Sequence, residues 1–236
     1  MMRRAMISIL APLFFTLLQA QTPGPGTFTY RFDEVKRSVV RWPAGDKARE
    51  VKVAKGDQAT TGDGVKTGWW GQTVLSVPER QARFEVYANT QVKLAGGEPG
   101  VLLVLSQGRI KAFFQHLVDG TQMERQVAVP GALLAVRGTR YGVEVNQDGK
   151  STLVVFEGVV EVLHQAPHAE PIFVKAGEWT TISSERVSKV EPVAMRGFGE
   201  RAWSQGMRPD GSAGASAMAP GSSMSKGMGP GSTHRH

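Results

Sequence analysis

Cysteine is absent from the 236-residue chain. This absence excludes disulfide bridges, thiolate metal sites and cysteine nucleophiles, and it leaves no residue to carry a lipid behind a signal peptide. The fold must therefore be stabilised by an ordinary hydrophobic core.

Motifs of catalysis and cofactor binding are also missing. The chain has no His-Glu-x-x-His sequence, no phosphate-binding glycine loop and no Gly-x-Ser-x-Gly sequence. The glycines of residues 62–68 miss the dinucleotide-binding spacing, and Pro167 interrupts the short segment between His164 and His168, which argues against a helical metal site. We expect a protein that is not an enzyme, with no cofactor and no metal site.

Three weaker features leave alternatives open. Glu157 and Glu178 lie near predicted turns, and a glycoside hydrolase needs only two suitably spaced carboxylates. Trp69 and Trp70 are expected in a strand, where their rings point to opposite faces and one could form a platform for sugar stacking. Residues near the C-terminus offer potential copper ligands, although their irregular spacing favours a flexible linker: Met207, Met218, Met224, Met228, His234 and His236.

A basic stripe typical of nucleic-acid binding is not visible, although the net charge is +7. Arg3 and Arg4 belong to a predicted export signal, and the segment from Ala194 onward has more basic than acidic residues. The part between them is nearly balanced in charge, so we expect no nucleic-acid partner.

The N-terminus has an apolar run that is too short for a typical membrane span. Arg3 and Arg4 precede residues 7–18, which are almost entirely apolar and contain Pro12, and the small residue Ala20 follows. This pattern predicts a signal peptide over residues 1–20, cleaved after Ala20, and a mature chain without a transmembrane segment in the periplasm or outside the cell. Retention of the segment as an uncleaved anchor is the alternative.

Short runs of β-branched and aromatic residues fill the chain from Phe28 to Val193, and Gly, Pro, Asn and Asp separate them. Alternation such as Phe28, Tyr30 and Phe32 indicates strands with one buried face, whereas the continuous run of residues 102–105 favours a strand covered on both faces. We predict one all-β domain over residues 27–193, with about a dozen short strands. A β-sandwich and a short solenoid-like stack both fit. No helix is clear, and the best candidate, residues 110–118, is short enough to be a strand.

Turn residues mark several of the predicted connections. Residues 146–149 predict a hairpin turn in which Gly149 accepts a positive φ, and Pro130 with Gly131 predicts a type II turn. Gly158 lies inside apolar strand sequence, which indicates a bulge or a close backbone approach.

The C-terminal residues 194–236 are rich in Gly, Ser, Met and Pro. Such a composition buries too little apolar surface to offset the entropy of ordering, so we predict a largely disordered tail, most clearly over residues 209–236. A short helix over residues 198–205 is the one element that we consider for packing against the domain.

Five stretches, in order, resemble the FecR domain family: residues 62–68, 108–110, 136–145, 155–162 and 176–178. The most specific part is the Arg-Gly-Thr sequence at 137–139, with its following strand and the Glu-Gly pair at 157–158. The resemblance identifies these motif residues: Thr67, Gly68, Gly108, Arg137, Gly138, Thr139, Glu157, Gly158, Gly177 and Glu178. Residues 77–81 depart from the family, which tends to have an Asp-Gly turn after the proline.

Structural roles suit these motif residues better than catalytic ones. Gly138 and Gly158 are expected at backbone positions that a Cβ would obstruct, and Thr139 is expected to bond a neighbouring backbone group. Arg137 is expected to pair with Glu157 or with another carboxylate.

The resemblance implies a non-catalytic protein of the bacterial envelope. In signalling members the domain follows a transmembrane helix and a cytoplasmic anti-sigma segment, and we expect a freestanding version of the sensing domain here. Its expected role is to bind an envelope protein or a cell-wall polymer. The alternative is a glycan-binding receptor or a glycan-active enzyme, and association of copies through exposed sheet edges is a third possibility.

Overall fold

The structure is a computed structural model that describes residues 27–95, 99–116 and 124–212. The predicted signal peptide and residues 213–236 of the predicted tail lie outside the described residues. Within the described ranges, no helix is long and apolar enough to span a membrane.

The described residues form an all-β fold with one short helix, α1 (Glu200–Ser204). Seventeen strands are present, more than the dozen expected, because several strands are only two to four residues long. The strands are β1 (Thr29–Lys36), β2 (Val39–Trp42), β3 (Val51–Lys52), β4 (Gln58–Thr60), β5 (Gly64–Thr67), β6 (Gln72–Val77), β7 (Ala82–Val86), β8 (Gln91–Leu94), β9 (Val101–Phe114), β10 (Gln126–Val129), β11 (Ala132–Val136), β12 (Thr139–Val145), β13 (Ser151–Glu157), β14 (Val159–His164), β15 (Ile172–Lys175), β16 (Glu178–Ile182) and β17 (Glu191–Pro192).

The strands belong to one curled sheet that folds into two layers. In the first layer, called sheet A, the order is β4-β1-β6-β7-β9-β12-β13-β16-β17. In the second layer, called sheet B, it is β3-β2-β5-β8-β9-β10-β11-β14-β15. Neighbouring strands are antiparallel, except that β9 and β10 are parallel.

Strand β9 joins the two layers because its halves pair in different sheets. Residues up to Gln107 pair with β8 in sheet B, and residues from Gly108 pair with β12 in sheet A. Gly108 has φ of +93°, and a Cβ there would lie 2.5 Å from the Cα of Thr90. The change of layer therefore depends on glycine. The candidate helix over 110–118 is strand up to Phe114.

One hydrophobic core lies between the layers. Sheet A contributes large side chains such as Tyr30, Phe84 and Tyr141, and sheet B contributes residues such as Leu103 and Val162. All five are buried, as the alternation in the sequence predicts. The fold is therefore a sandwich of two layers, the first of the two predicted arrangements.

The predicted turns lie where the sequence indicated. Residues 146–149 connect β12 to β13 with Gly149 at φ +76°, and the Asn146 side chain accepts two backbone N–H groups of the turn. Pro130 and Gly131 connect β10 to β11, and Gly131 has φ of +81°. In the segment that departs from the family, Gln81 takes the left-handed conformation with φ of +50°.

Residues 195–212 pack on the outer face of sheet A, and we call this segment the strap. It contains α1, within the range considered for a helix, and it buries Trp203 completely. The strap lies within residues 194–236, which the composition predicts to be a largely disordered tail. The packed part of the chain thus continues past the boundary predicted at residue 193.

Candidate functional site

The glycines of the family motif occupy positions where a side chain would collide. Gly138 has φ of +149°, and a Cβ there would lie 2.4 Å from Nδ1 of His116. Gly158 has φ of +78°, and its Cβ would lie 2.4 Å from the carbonyl oxygen of Gly138. The Thr139 hydroxyl donates to the carbonyl of Val159 at 3.0 Å. Gly138, Gly158 and Thr139 therefore have structural contacts in this fold.

The acidic motif residues also have structural partners. Glu157 contacts Arg140 at 3.0 Å and His116 at 3.6 Å, whereas Arg137 is exposed. Glu157 thus pairs with Arg140 and not with Arg137. Arg140 lies across from Glu157 in the β12–β13 register.

Glu178 closes the turn after β15, where its carboxylate accepts the Lys175 N–H at 2.8 Å. Gly177 in this turn has φ of +82°. The geometry thus gives Glu157 and Glu178 separate local roles, an ion pair and a turn cap. Among the residues that the structure describes, no group of three His, Asp or Glu side chains is placed to hold a metal ion.

Thr67 and Gly68 of the motif support a tight turn between β5 and β6. Buried Thr67 accepts the Thr90 N–H at 2.9 Å through its hydroxyl oxygen. Gly68 donates its N–H to the carbonyl of Ser38 at 2.8 Å, and its own carbonyl accepts the Gly71 N–H at 2.9 Å. Residues 68–71 therefore close a four-residue turn, which we call the tryptophan turn.

The tryptophan turn presents both of its central residues to solvent. Trp69 is 49% exposed and Trp70 is 55% exposed. The expectation that they lie in a strand is wrong, because β5 ends at Thr67 and β6 begins at Gln72. Large exposed apolar residues that lie side by side are typical of interaction surfaces.

Close backbone packing fixes this turn. A Cβ on Gly71 would lie 2.1 Å from the carbonyl oxygen of Ser38, so only glycine fits. The Asn89 N–H donates to the Gly68 carbonyl at 3.1 Å, and the guanidinium of Arg37 lies 5.6 Å from the centre of the Trp70 ring. The two indoles are therefore displayed on a supported backbone next to a cation.

A buried charge cluster lies beneath the strap. Arg109 donates to Glu144 at 2.6 Å, and both side chains are 1% exposed. Arg208 of the strap binds both carboxylate oxygens of Glu144, at 2.9 Å through Nε and 3.0 Å through the terminal nitrogen Nη2. The strap thus supplies a second cation to the Glu144 carboxylate, which Arg109 of the sheet also binds.

Trp203 completes this attachment. Its indole N–H donates to the Ile110 carbonyl at 3.1 Å, and the Arg109 guanidinium lies 4.2 Å from its ring centre. The ring occupies the space above Gly142, where a Cβ would lie 2.4 Å from the indole. Arg109 also donates to the Trp203 carbonyl at 2.7 Å. Strap and sheet are therefore complementary in shape and in polarity.

The cluster changes the ionisation of its members. Burial lowers the pKa of Arg109, and the carboxylate of Glu144 opposes this effect. The hydrogen bonds to Glu144 raise the pKa of Arg208. Nearby, burial raises the pKa of Tyr87, whose hydroxyl lies 2.8 Å from Oγ of Ser204 in the strap.

Sequence reasoning missed Arg109, Glu144 and Arg208 as partners. Arg109 and Glu144 lie at outward positions of their strands, which normally face water. They are buried only because the strap packs over them. Arg208 of the strap lies 64 residues beyond Glu144 in the sequence. The apolar residue Trp203 inside a polar tail is the one sequence signal for this packing.

Two concave surfaces border the strap. A cleft of about 200 Å³ lies between the strap and the tryptophan turn, and its lining includes Trp70, Tyr87 and Gln205. A larger groove of about 350 Å³ lies on the other side, where β13 and β16 meet the strap. We call the larger one the polar groove, and its lining includes Thr152, Trp179 and Asp210.

Comparison with solved structures finds two crystal structures of a candidate anti-sigma factor from Parabacteroides distasonis ATCC 8503, at 2.50 Å and 1.65 Å resolution. The TM-score is 0.41 for both, with 16% and 17% sequence identity. This chain spans only about three-fifths of their length, since each alignment covers 55% of this chain and 59% of that chain. No curated protein matches the chain.

The family comparison agrees with the motifs described above. Residues 63–161 match the family model described as FecR protein. This range contains Gly108, Gly138, Thr139 and Gly158, whose packing explains why the motif has these residues. Residues 63–161 of this chain are therefore similar to the FecR family, as the motifs of the sequence predict.

Proposed function

We propose that this protein is a non-catalytic binding module of the cell envelope, and that it docks a protein partner through the tryptophan turn. The family match supports a regulatory protein rather than an enzyme. The observation that carries the docking role is the supported display of Trp69 and Trp70, each about half exposed.

The chemistry of the turn suits a protein partner. Trp, Tyr and Arg are the residues most enriched at the energetic centres of protein interfaces. Trp69, Trp70 and Arg37 provide two of these types on one exposed surface, and hydrogen bonds hold the backbone of the turn. A preformed anchor loses little conformational entropy when the complex forms.

The signal peptide predicted over residues 1–20 supports the same role, because it would place the module outside the cytoplasm. Cell fractionation with N-terminal sequencing of the isolated protein tests this part. We expect an envelope or secreted fraction and a mature chain that begins at Gln21. Recovery of the protein from the cytosol would contradict the proposed location.

Site-specific crosslinking in cells tests the docking surface. A photoreactive residue at Gln72, next to the tryptophan turn, is expected to crosslink one defined envelope protein. The adduct is expected to disappear when Trp69 and Trp70 are both changed to Ala. A photoreactive residue at Lys175, in edge strand β15 of sheet B, is the matched control and is expected to give no such adduct. An adduct that persists without the tryptophans would contradict the proposal.

A further inference from the structure

The polar groove is a second concave surface, separate from the tryptophan turn. Its volume of about 350 Å³ falls within the usual range of small-ligand sites, roughly 300 to 1,000 Å³. The strap residues Arg208 and Asp210 line one side, and Ser188, Lys189 and Glu191 line another.

Hydroxyl groups dominate one part of the groove. Thr152 and Thr181 form a cross-strand pair between β13 and β16. The Thr181 hydroxyl lies 2.7 Å from the Ser188 hydroxyl. Hydroxyls act as both donors and acceptors, so this part can adapt to either kind of group on a ligand.

One aromatic residue accompanies these hydroxyls. Trp179 is partly buried and lies directly across from Val154 in the sheet register. It packs against the small apolar cluster that contains Trp203. The groove thus combines an anchored indole with a hydroxyl-rich lining.

The charges of the groove are balanced. Lys150 and Lys189 are its cations besides Arg208, and Glu191 and Asp210 are its acids. Arg208 is already engaged by both oxygens of Glu144. The groove therefore favours a ligand that is polar but carries no net charge.

We propose that the polar groove binds a neutral saccharide unit. The apolar C–H face of a sugar ring complements the indole of Trp179, and the sugar hydroxyls complement Thr152, Thr181 and Ser188. Nothing in the docking role of the tryptophan turn requires this site, so it is an additional binding function, located on the outer face of sheet A.

Calorimetric titration of the mature protein tests the inference. The probes are chitotetraose, cellotetraose and maltotetraose, three neutral oligosaccharides of different linkage. At least one is expected to bind. Trp179→Ala is expected to weaken binding at least about tenfold, as loss of an anchoring aromatic residue does.

Matched variants separate the groove from other effects. Thr181→Val removes a hydroxyl at nearly constant volume and is expected to weaken binding several-fold, which covers the case in which Trp179→Ala does not fold. Phe173→Ala, on sheet B and outside the groove, is expected to bind as the wild type does. Absence of binding to all three probes, or equal binding by the wild type and Thr181→Val, would overturn the inference. Either result leaves the Gln72 crosslink unaffected, so the groove and the docking role fail separately.

Discussion

Gln81 holds a backbone conformation that glycine adopts more easily. Its φ of +50° and ψ of +41° lie in the left-handed region, at the end of the turn between β6 and β7. We expect Gln81→Gly to raise the free energy of unfolding by about 0.5–1 kcal/mol, because the left-handed strain is greater than the entropic cost of glycine.

Urea denaturation measures this effect. Gly177→Ala is the control for the opposite change, from glycine to a residue with a side chain at a positive φ. Gly177 has φ of +82° with no atom near a built Cβ, so alanine there should cost about 1 kcal/mol through backbone strain alone. A lower stability of Gln81→Gly would show that the Gln81 side chain contributes more than its backbone strain costs.

The Arg109–Glu144 pair is expected to be the most sensitive polar contact in the protein. Glu144→Gln leaves two guanidinium groups without their carboxylate, one of them buried, and should lower the free energy of unfolding by about 3–5 kcal/mol. Arg109→Met with Glu144→Leu should cost less than the sum of the single changes, since no unpaired charge remains in the sheet. Equal stability of Glu144→Gln and the wild type would contradict this account.

At the element scale, the strap is a structural part of the domain. Its removal exposes Tyr87 and Val154 and takes Arg208 away from Glu144. Truncation after Ala194 is therefore expected to lower the free energy of unfolding by at least about 3 kcal/mol, the usual effect of losing one buried tryptophan. Truncation after Ser212 is the control and is expected to leave stability unchanged. Thermal unfolding of the three chains measures the difference, and equal midpoints would contradict the role of the strap.

Local elements were largely predictable from the sequence, whereas their partners were not. The hairpin of residues 146–149 and the Pro130–Gly131 turn depend on residues that are close in sequence, so their chemistry is visible there. The division of β9 between two layers and the parallel β9–β10 pair depend on contacts between distant segments. The tryptophan turn was missed for the same reason, because its tightness comes from Ser38, thirty residues earlier.

At the scale of the whole molecule, the three tyrosines connect stability to alkaline pH. Tyr30, Tyr87 and Tyr141 are all the tyrosines of the chain, and each is at most 6% exposed. Burial raises the pKa of all three above the ordinary value of 10.0. The folded state thus holds these protons more tightly than the unfolded state does. The stability that these protonated tyrosines contribute is fully present below about pH 10, the pKa of an unfolded tyrosine. It is lost as the pH rises from there through the raised pKa values of the folded state.

An alkaline titration is expected to show one cooperative step. Tyrosinate absorbance should stay low above pH 10 and then rise together with the loss of the near-ultraviolet circular dichroism of the folded protein. Gradual ionisation with a midpoint near 10, in a protein that remains folded, would contradict the burial of the tyrosines.

Docking of a protein partner by the tryptophan turn can be measured directly. The crosslinked envelope protein is purified, and its affinity is measured for three forms of this protein: the wild type, the Trp69→Ala/Trp70→Ala variant and Phe173→Ala. Phe173 is the matched control because it is 55% exposed on sheet B. The double variant is expected to lose at least about thirtyfold in affinity, as interface hot spots do, while Phe173→Ala keeps the affinity of the wild type. Equal affinity of the double variant and the wild type would contradict the docking role.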